Sequence, residues 1–426
     1  MLTVFSKTKR KDCEGSTRRD FLKVGAIGGG ALTLPNLLRA ENATPGTTKQ
    51  KSVIWIWLAG GPTHVETFDP KMTAPVEYRS ITSEAKTPLP GVTIGGTFPK
   101  IASCVDRMSL VRSFAHGNSS HGNATKWVMT GYDDRQGVKP SFGSIAARHY
   151  GTTDPETGMP TYVRMNGIGG DGAGWLGTAY SPFNPNGPAV KNMKIAVAED
   201  RFGSRRDLLN SLDGINRQAD ASGKMEGIDA FEQQAFELVL GSSQDAFDIN
   251  KADPKTRTKY GKGLGESLLK ARRLCEAGCR FVTVSYGGWD MHGGIAKGLK
   301  SRAAQMDQAI SALIEDLDQR GQLDDTLVVI TGEFGRTPKI NTKGGRDHWG
   351  RLCSLALAGG GLNMGQVIGE SSRKIEVPET TPITPQDLMA TIFHMYGLDY
   401  RMQLINNQGR PVYLIENGTP IKELIS

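Results

Sequence analysis

Val53-Ile54-Trp55-Ile56-Trp57-Leu58 runs straight into Ala59-Gly60-Gly61-Pro62-Thr63-His64, and the same join recurs twice. Phe281 to Tyr286 leads into Gly287-Gly288-Trp289-Asp290-Met291-His292, and Leu327 to Thr331 leads into Gly332-Glu333-Phe334-Gly335-Arg336. Open α/β sheets carry their chemistry at the carboxyl ends of parallel strands. Glycine lets the backbone approach a ligand there, while imidazole and carboxylate are ligands that suit zinc, manganese and similar divalent metals. The three joins predict an α/β fold with metal chemistry at its strand ends.

Working outward, a helix is predicted over Ala296 to Arg320, stopped by Gly321, between the strands Arg280 to Tyr286 and Thr326 to Thr331. A strand, a helix of that length and a second strand make a right-handed βαβ unit in a parallel sheet. Met108 to Val111 and Leu352 to Leu357 read as further strands. Ala124 to Met129 and Phe142 to Tyr150 read as helices. Thr384 as N-cap and Pro385 at the first helical position open a closing helix that runs to Tyr396. Residues 151–203, rich in Gly, Pro and Asn, read as long surface loops. From Arg205 to Ala277 the pattern is helical, with Leu208, Leu209, Leu212 and Ile215, then Phe231, Ala235, Phe236, Leu238 and Val239, then Leu264, Leu268 and Leu269 at three-to-four spacing.

The N-terminus carries a separate signal. Ser16-Thr17-Arg18-Arg19-Asp20-Phe21-Leu22-Lys23 is a twin-arginine motif, followed by the apolar Val24 to Leu38 stretch and Ala40 as a cleavage residue. Residues 1–40 therefore read as a bacterial Tat signal, residues 41–51 as a polar linker, and residues 52–426 as one domain. The expected destination is the periplasm or the exterior, with the Tat translocase as partner during export. The 426 residues carry a formal charge of +7, but residues 1–40 hold eight Lys/Arg against three Asp/Glu. The remainder is close to neutral and has no aromatic-basic interleaving, which argues against a nucleic-acid partner. No stretch of the mature sequence reads as a membrane span. Four cysteines follow the leader without a Cys-x-x-Cys pair, so free thiols are expected.

Five of the seven histidines, His64, His116, His121, His292 and His348, lie in glycine-bearing loops. Asp-x-His at 290–292 is by itself a weak motif that also serves as a surface pair, and Glu333 with Arg336 could be a simple salt bridge. Their placement after apolar strands favours another reading. There, Asp290, His292, Glu333 and His348 hold metal, with His64, Asp69, His116, His121 or Asp347 completing one or two sites. Arg336 is expected to grip anionic ester oxygens, because guanidinium matches planar oxyanions bidentately. His116-Gly117-Asn118-Ser119-Ser120-His121, just before a helix, offers Ser120 as nucleophile and His121 beside it.

Taken together, Trp55 to His64 with Thr67-Phe68-Asp69-Pro70, the His116/His121 segment ending Met129-Thr130-Gly131-Tyr132, Gly288 to His292, Gly332 to Pro338 and Asp347-His348-Trp349 resemble the exported sulfatase-like family called domain of unknown function 1501. That family falls in the alkaline phosphatase superfamily. The resemblance spans residues 52–425 and implies an alkaline phosphatase-like three-layer sandwich, with a mostly parallel central sheet and helices on both faces. It further implies a hydrolase of sulfate or phosphate esters, including those of carbohydrates, with one or two divalent ions of zinc, manganese or calcium. A small anionic ester or a sulfated or phosphorylated glycan would be the ligand. Three departures stand out. Gly60-Gly61 replaces the superfamily's Asp pair after the first strand, Phe334 stands where a ligand His is usual, and the sulfatase nucleophile position falls at His121, beside Ser119 and Ser120. Ser120 or a metal-activated water would then attack. The alternative is a non-catalytic relative that binds an anionic glycan or an envelope partner.

Overall fold

A computed structural model describes residues 50–133, 138–185 and 242–425. The twin-arginine segment, most of the linker, and the apolar stripes from Leu208 to Val239 lie outside the described residues.

In chain order the main elements are β1 (Ser52–Trp57), β2 (Met108–Val111), α1 (His121–Thr130), α2 (Phe142–Tyr150), β3 (Tyr162–Met165), α3 (Leu264–Glu276), β4 (Phe281–Ser285), α4 (Ile295–Gln319), β5 (Thr326–Thr331), β6 (Leu355–Gly359), β7 (Gln366–Ile368) and α5 (Pro385–Met395). The seven strands form one sheet in the order β7-β2-β6-β5-β1-β4-β3. Only β6 is antiparallel to its neighbours. All other pairings are parallel.

The central strands β1, β5 and β6 are buried along their whole length because both faces are covered. Period-2 alternation sends Ile54, Ile56 and Leu58 into one core with Leu268, Leu274, Leu313 and Leu317 of α3 and α4. Val53, Trp55 and Trp57 point the other way, against Val128 of α1, Phe142 of α2 and Leu388 and Phe393 of α5. The result is the expected three-layer, mainly parallel α/β architecture with helices on both faces. Thr384 takes the N-cap of α5, as its sequence foretold, and forms a reciprocal capping box with Asp387.

Register brings the chemistry-bearing loops together. Trp57 is level with Thr331 on one side and with Ser285 on the other. β1, β4 and β5 therefore release the loops after residues 57, 285 and 331 at one edge. Reversed β6 begins there too, since Leu355 is level with Thr331, so the segment from Arg346 to Ser354 arrives at the same edge.

Two sequence expectations need correction. Residues 151–185 are not loop alone, because Tyr162–Met165 forms β3 and pairs with β4 at the sheet margin. A strand of four residues is too short to display a period. The sixth strand begins at Leu355 rather than Leu352. Cys353 N donates to Phe114 O and Ser354 O accepts from Thr331 Oγ1, and these contacts hold that approach outside the ladder. The four cysteines among the described residues are free, as expected.

Candidate metal centre

Asp290 is the hub of the strand-end cluster. His292 Nε2 lies 3.0 Å and His348 Nε2 lies 3.2 Å from Asp290 Oδ1. His121 Nε2 lies 3.5 Å from Oδ2 of the same carboxylate. The ligand atoms of His121, Asp290 and His348 all fall within 4.8 Å of one another. Burial pushes the Asp290 carboxyl up, but the hydrogen bond and charge of Arg336, joined by His348 and His292, outweigh it and hold the group at about 2.

Each of the three imidazoles is held through Nδ1 by an oxygen that can only accept. His292 Nδ1 donates to Asp347 Oδ1 at 2.7 Å, His348 Nδ1 to Ser119 O at 3.1 Å, and His121 Nδ1 to Glu333 Oε1 at 2.6 Å. With the rings neutral, all three Nε2 lone pairs face Asp290, and His292 Nε2 stands 3.0 Å from His348 Nε2. Burial lowers the His348 pKa, with the charges of Arg336 and His121 acting the same way and Asp290 opposing. Acceptors converging on acceptors repel unless a proton or a metal cation stands among them. Imidazoles oriented by carboxylate or carbonyl through the far nitrogen are also the usual support of metal-ligating histidine. Glu333 adds a buried Oε2 with no hydrogen-bond partner. This donor set fits a divalent cation.

The surroundings explain the placement. Gly60 N donates to Glu333 Oε1 at 2.8 Å, and a Cβ on Gly60 would stand 2.5 Å from Asp290 N, so only glycine, here at φ +113°, admits this approach. Phe334, fully buried, lies under the rings of His121 and His348 with centroids at 4.8 and 4.6 Å. Its apolar face supports the two imidazoles.

Other expected site residues stand behind the cluster or apart from it. Arg336 is fully buried, and its guanidinium donates to the carbonyls of Gly60, Gly61 and Arg346 and to Asp290 Oδ1. It braces the strand-end loops and does not present an open clamp for an oxyanion. His116 Nε2 bonds Glu333 O at 2.7 Å, which makes it a support for that loop. Its pKa falls to about 4 through burial, partly offset by that bond. His64 and Asp69 line a separate small cavity with Phe68, Arg112 and Cys353. His64 Nε2 bonds Ile375 O there, and burial lowers its pKa to about 4. Ser120 is exposed and takes the N-cap position of α1 without a side-chain cap bond.

Sequence reading missed the buried pair Arg346–Glu66, which joins the loop after β1 to the segment before β6 through contacts of 2.7 and 2.9 Å. It also missed Asn341, whose amide donates to Asp347 Oδ2 and His292 O. Neither sits in a motif, and only proximity could reveal them.

The family model described as "Protein of unknown function (DUF1501)" matches residues 50–425. No curated protein matches the chain. Among solved structures it is similar to the PsFucS1 sulfatase from Pseudoalteromonas sp., at 13% identity over 88% of this chain and 72% of that one, with a TM-score of 0.39. It is also similar to the lipoteichoic acid synthase LtaP from Listeria monocytogenes, at 11% identity over 86% and 75%, TM-score 0.39. The phosphonate monoester hydrolase SpPMH from Silicibacter pomeroyi matches at 12% identity over 82% and 74%, TM-score 0.36.

Proposed function

We propose that this chain, which belongs to the DUF1501 family, is an exported, metal-dependent hydrolase of sulfate or phosphate esters, with charged glycans among its substrates. One observation carries the reading. Three imidazoles, each anchored through Nδ1 by an oxygen acceptor, turn Nε2 toward the single carboxylate of Asp290.

Asp290, His292, His348 and His121 would hold the cation, with the Glu333 carboxylate behind His121. A divalent ion there supplies Lewis-acid polarisation of an ester oxygen and eases deprotonation of water at neutral pH. The protein's own part is preorganisation. Arg336 keeps Asp290 ionised and fixed, Asp347 and Ser119 O set the tautomers of His292 and His348, and Glu333 holds His121 at the first residue of α1. Ser120 Oγ or a water molecule is proposed as the nucleophile. The buried Arg336 leaves neutralisation of the ester's charge to other groups.

In this proposal residues 1–40 are a Tat signal, residues 41–51 a linker and residues 52–426 one alkaline phosphatase-like domain, which places the mature protein in the periplasm or outside the cell. Replacing Arg18 and Arg19 with Lys is expected to stop export, read by cell fractionation. The burial of Arg336 favours one competing reading, a non-catalytic relative that binds an anionic glycan.

The deciding experiment is metal content by mass spectrometry on mature protein purified without chelator or metal-affinity resin, beside Asp290→Ala and Glu333→Ala. One or two bound ions per chain, lost in Asp290→Ala and accompanied by turnover of sulfate or phosphate monoesters, is the expected result. A metal-free, folded wild type from metal-replete cells would overturn it and favour the glycan-binding alternative.

A further inference from the structure

The charge pattern of α4 runs against its own dipole. Residues 293–306 contain Lys297, Lys300 and Arg302 and no acidic residue, while Glu315, Asp316 and Asp318 lie near the helix C-terminus. A helix N-terminus carries partial positive charge, so an exposed cation in the first turn, here Lys297, is unfavourable. A sequence that breaks a local rule without a packing return marks a functional surface.

The three cations divide by role. Arg302 donates through a terminal nitrogen to Gly287 O and supports the loop that carries Asp290. Lys297 and Lys300 are exposed. Their spacing of three residues places them on one helix face, about 3 and 8 Å along the axis from the first residue of α4. Ile295, Leu299 and Ala303 of the same helix turn inward to the core.

The start of this helix adjoins the metal centre. His292 lies two residues before Gly294, the N-cap of α4. Gly294 N donates to Lys343 O at 3.0 Å and Ile295 N to Gly344 O at 2.9 Å, which stitches the Lys343 loop to the start of the helix. Lys343 is exposed as well. Four residues further along, Asp347 is engaged with His292 and Asn341, and Asp307 faces inward to cap the backbone of Lys100 and Ile101. Three exposed lysines thus lie on the two segments, the start of α4 and the Lys343 loop, that adjoin His292 and Asp347 of the cluster.

We propose that Lys297, Lys300 and Lys343 form an anion-binding track that holds a neighbouring charged group of a polyanionic glycan when one of its esters lies at the Asp290 cluster. The purpose of the track rests on the ester-hydrolase reading, whereas polymer binding itself does not. A glycan is favoured over single-stranded nucleic acid because residues 293–306 include no aromatic side chain on which a base could stack.

The test measures binding separately from turnover. Mature wild type and the triple variant Lys297→Gln/Lys300→Gln/Lys343→Gln, both stripped of metal with a chelator, are titrated with dextran sulfate, unsulfated dextran and an oligonucleotide of matched charge. A control variant carries Lys86→Gln, Lys255→Gln and Lys270→Gln, which removes equal charge elsewhere. We expect wild type to bind dextran sulfate with a salt-dependent affinity that falls at least tenfold in the triple variant and less than threefold in the control. Hydrolysis of a small chromogenic ester by metal-loaded triple variant should stay within twofold of wild type. No binding by wild type, equal losses in the two variants, or equal or tighter affinity for the oligonucleotide would each overturn the track. Loss of small-ester turnover in metal-loaded wild type would instead overturn the hydrolase reading and leave the binding result standing.

Discussion

His292 Nε2 and His348 Nε2 face one another at 3.0 Å, and each ring has its other nitrogen engaged by an oxygen acceptor. No hydrogen bond can join two lone pairs, so with neutral rings this pair is repulsive by itself. A shared cation turns the repulsion into coordination. Substituting His348→Ala should therefore remove the tightly bound metal while raising thermal stability of the metal-free protein or leaving it unchanged. Metal analysis beside thermal unfolding of the stripped protein checks both halves, and a clear loss of metal-free stability would contradict this account.

Asp347 tests the support behind the ligands. Its Oδ1 receives His292 Nδ1–H at 2.7 Å, and this hydrogen bond, followed by that from Asn341, lowers its pKa. Carboxylates in this supporting position are worth about 10–100-fold in metal affinity. Asp347→Ala should lose affinity in that range, measured by competition with a chelating dye, with little change in fold because the side chain is about half exposed.

Arg336 makes the opposite prediction. Removing its buried guanidinium strands the carbonyls of Gly60, Gly61 and Arg346 and leaves Asp290 without its countercharge. Arg336→Met should destabilise the protein by about 3 kcal/mol, read as a lower midpoint in urea. Preserved stability with lost ester affinity would instead identify a substrate clamp.

Gly60 is constrained by both conformation and space. At φ +113°, with Asp290 N only 2.5 Å from a built Cβ, Gly60→Ala must move the Asp290 loop. We expect a loss on the order of 2 kcal/mol together with weakened metal binding. A variant that keeps full metal affinity would show that the loop tolerates displacement.

His64 gives a pH signature. Burial holds its folded-state pKa at about 4, against 6.5 when unfolded, so the unfolded chain binds the extra proton across that interval. Its contribution is complete above pH 6.5 and is lost as pH falls toward 4, amounting to about 3 kcal/mol. His64→Gln should flatten the fall in unfolding free energy between pH 6.5 and 4.5 relative to wild type. Parallel curves for the two proteins would contradict this assignment.

The sequence by itself determined the layers and the position of the chemistry. Apolar runs such as Ile54-Trp55-Ile56-Trp57 can only be strands covered on both faces, and glycine after each run marks where the backbone closes on a site. It also identified Asp290, His292 and Glu333 as chemically competent, because these side chains follow strand ends, and His348 on a glycine-bearing loop downstream. Tertiary structure alone decided the roles. Level register of Trp57, Ser285 and Thr331 converges three loops spread over more than two hundred residues of chain, and reversed β6 returns His348 to the same edge. It set His64 and Asp69 apart, buried Arg336 as a brace, and seated His121 on Glu333. A residue's chemistry is local and legible, whereas direction, burial and partners depend on how distant segments meet, which no short stretch of chain encodes.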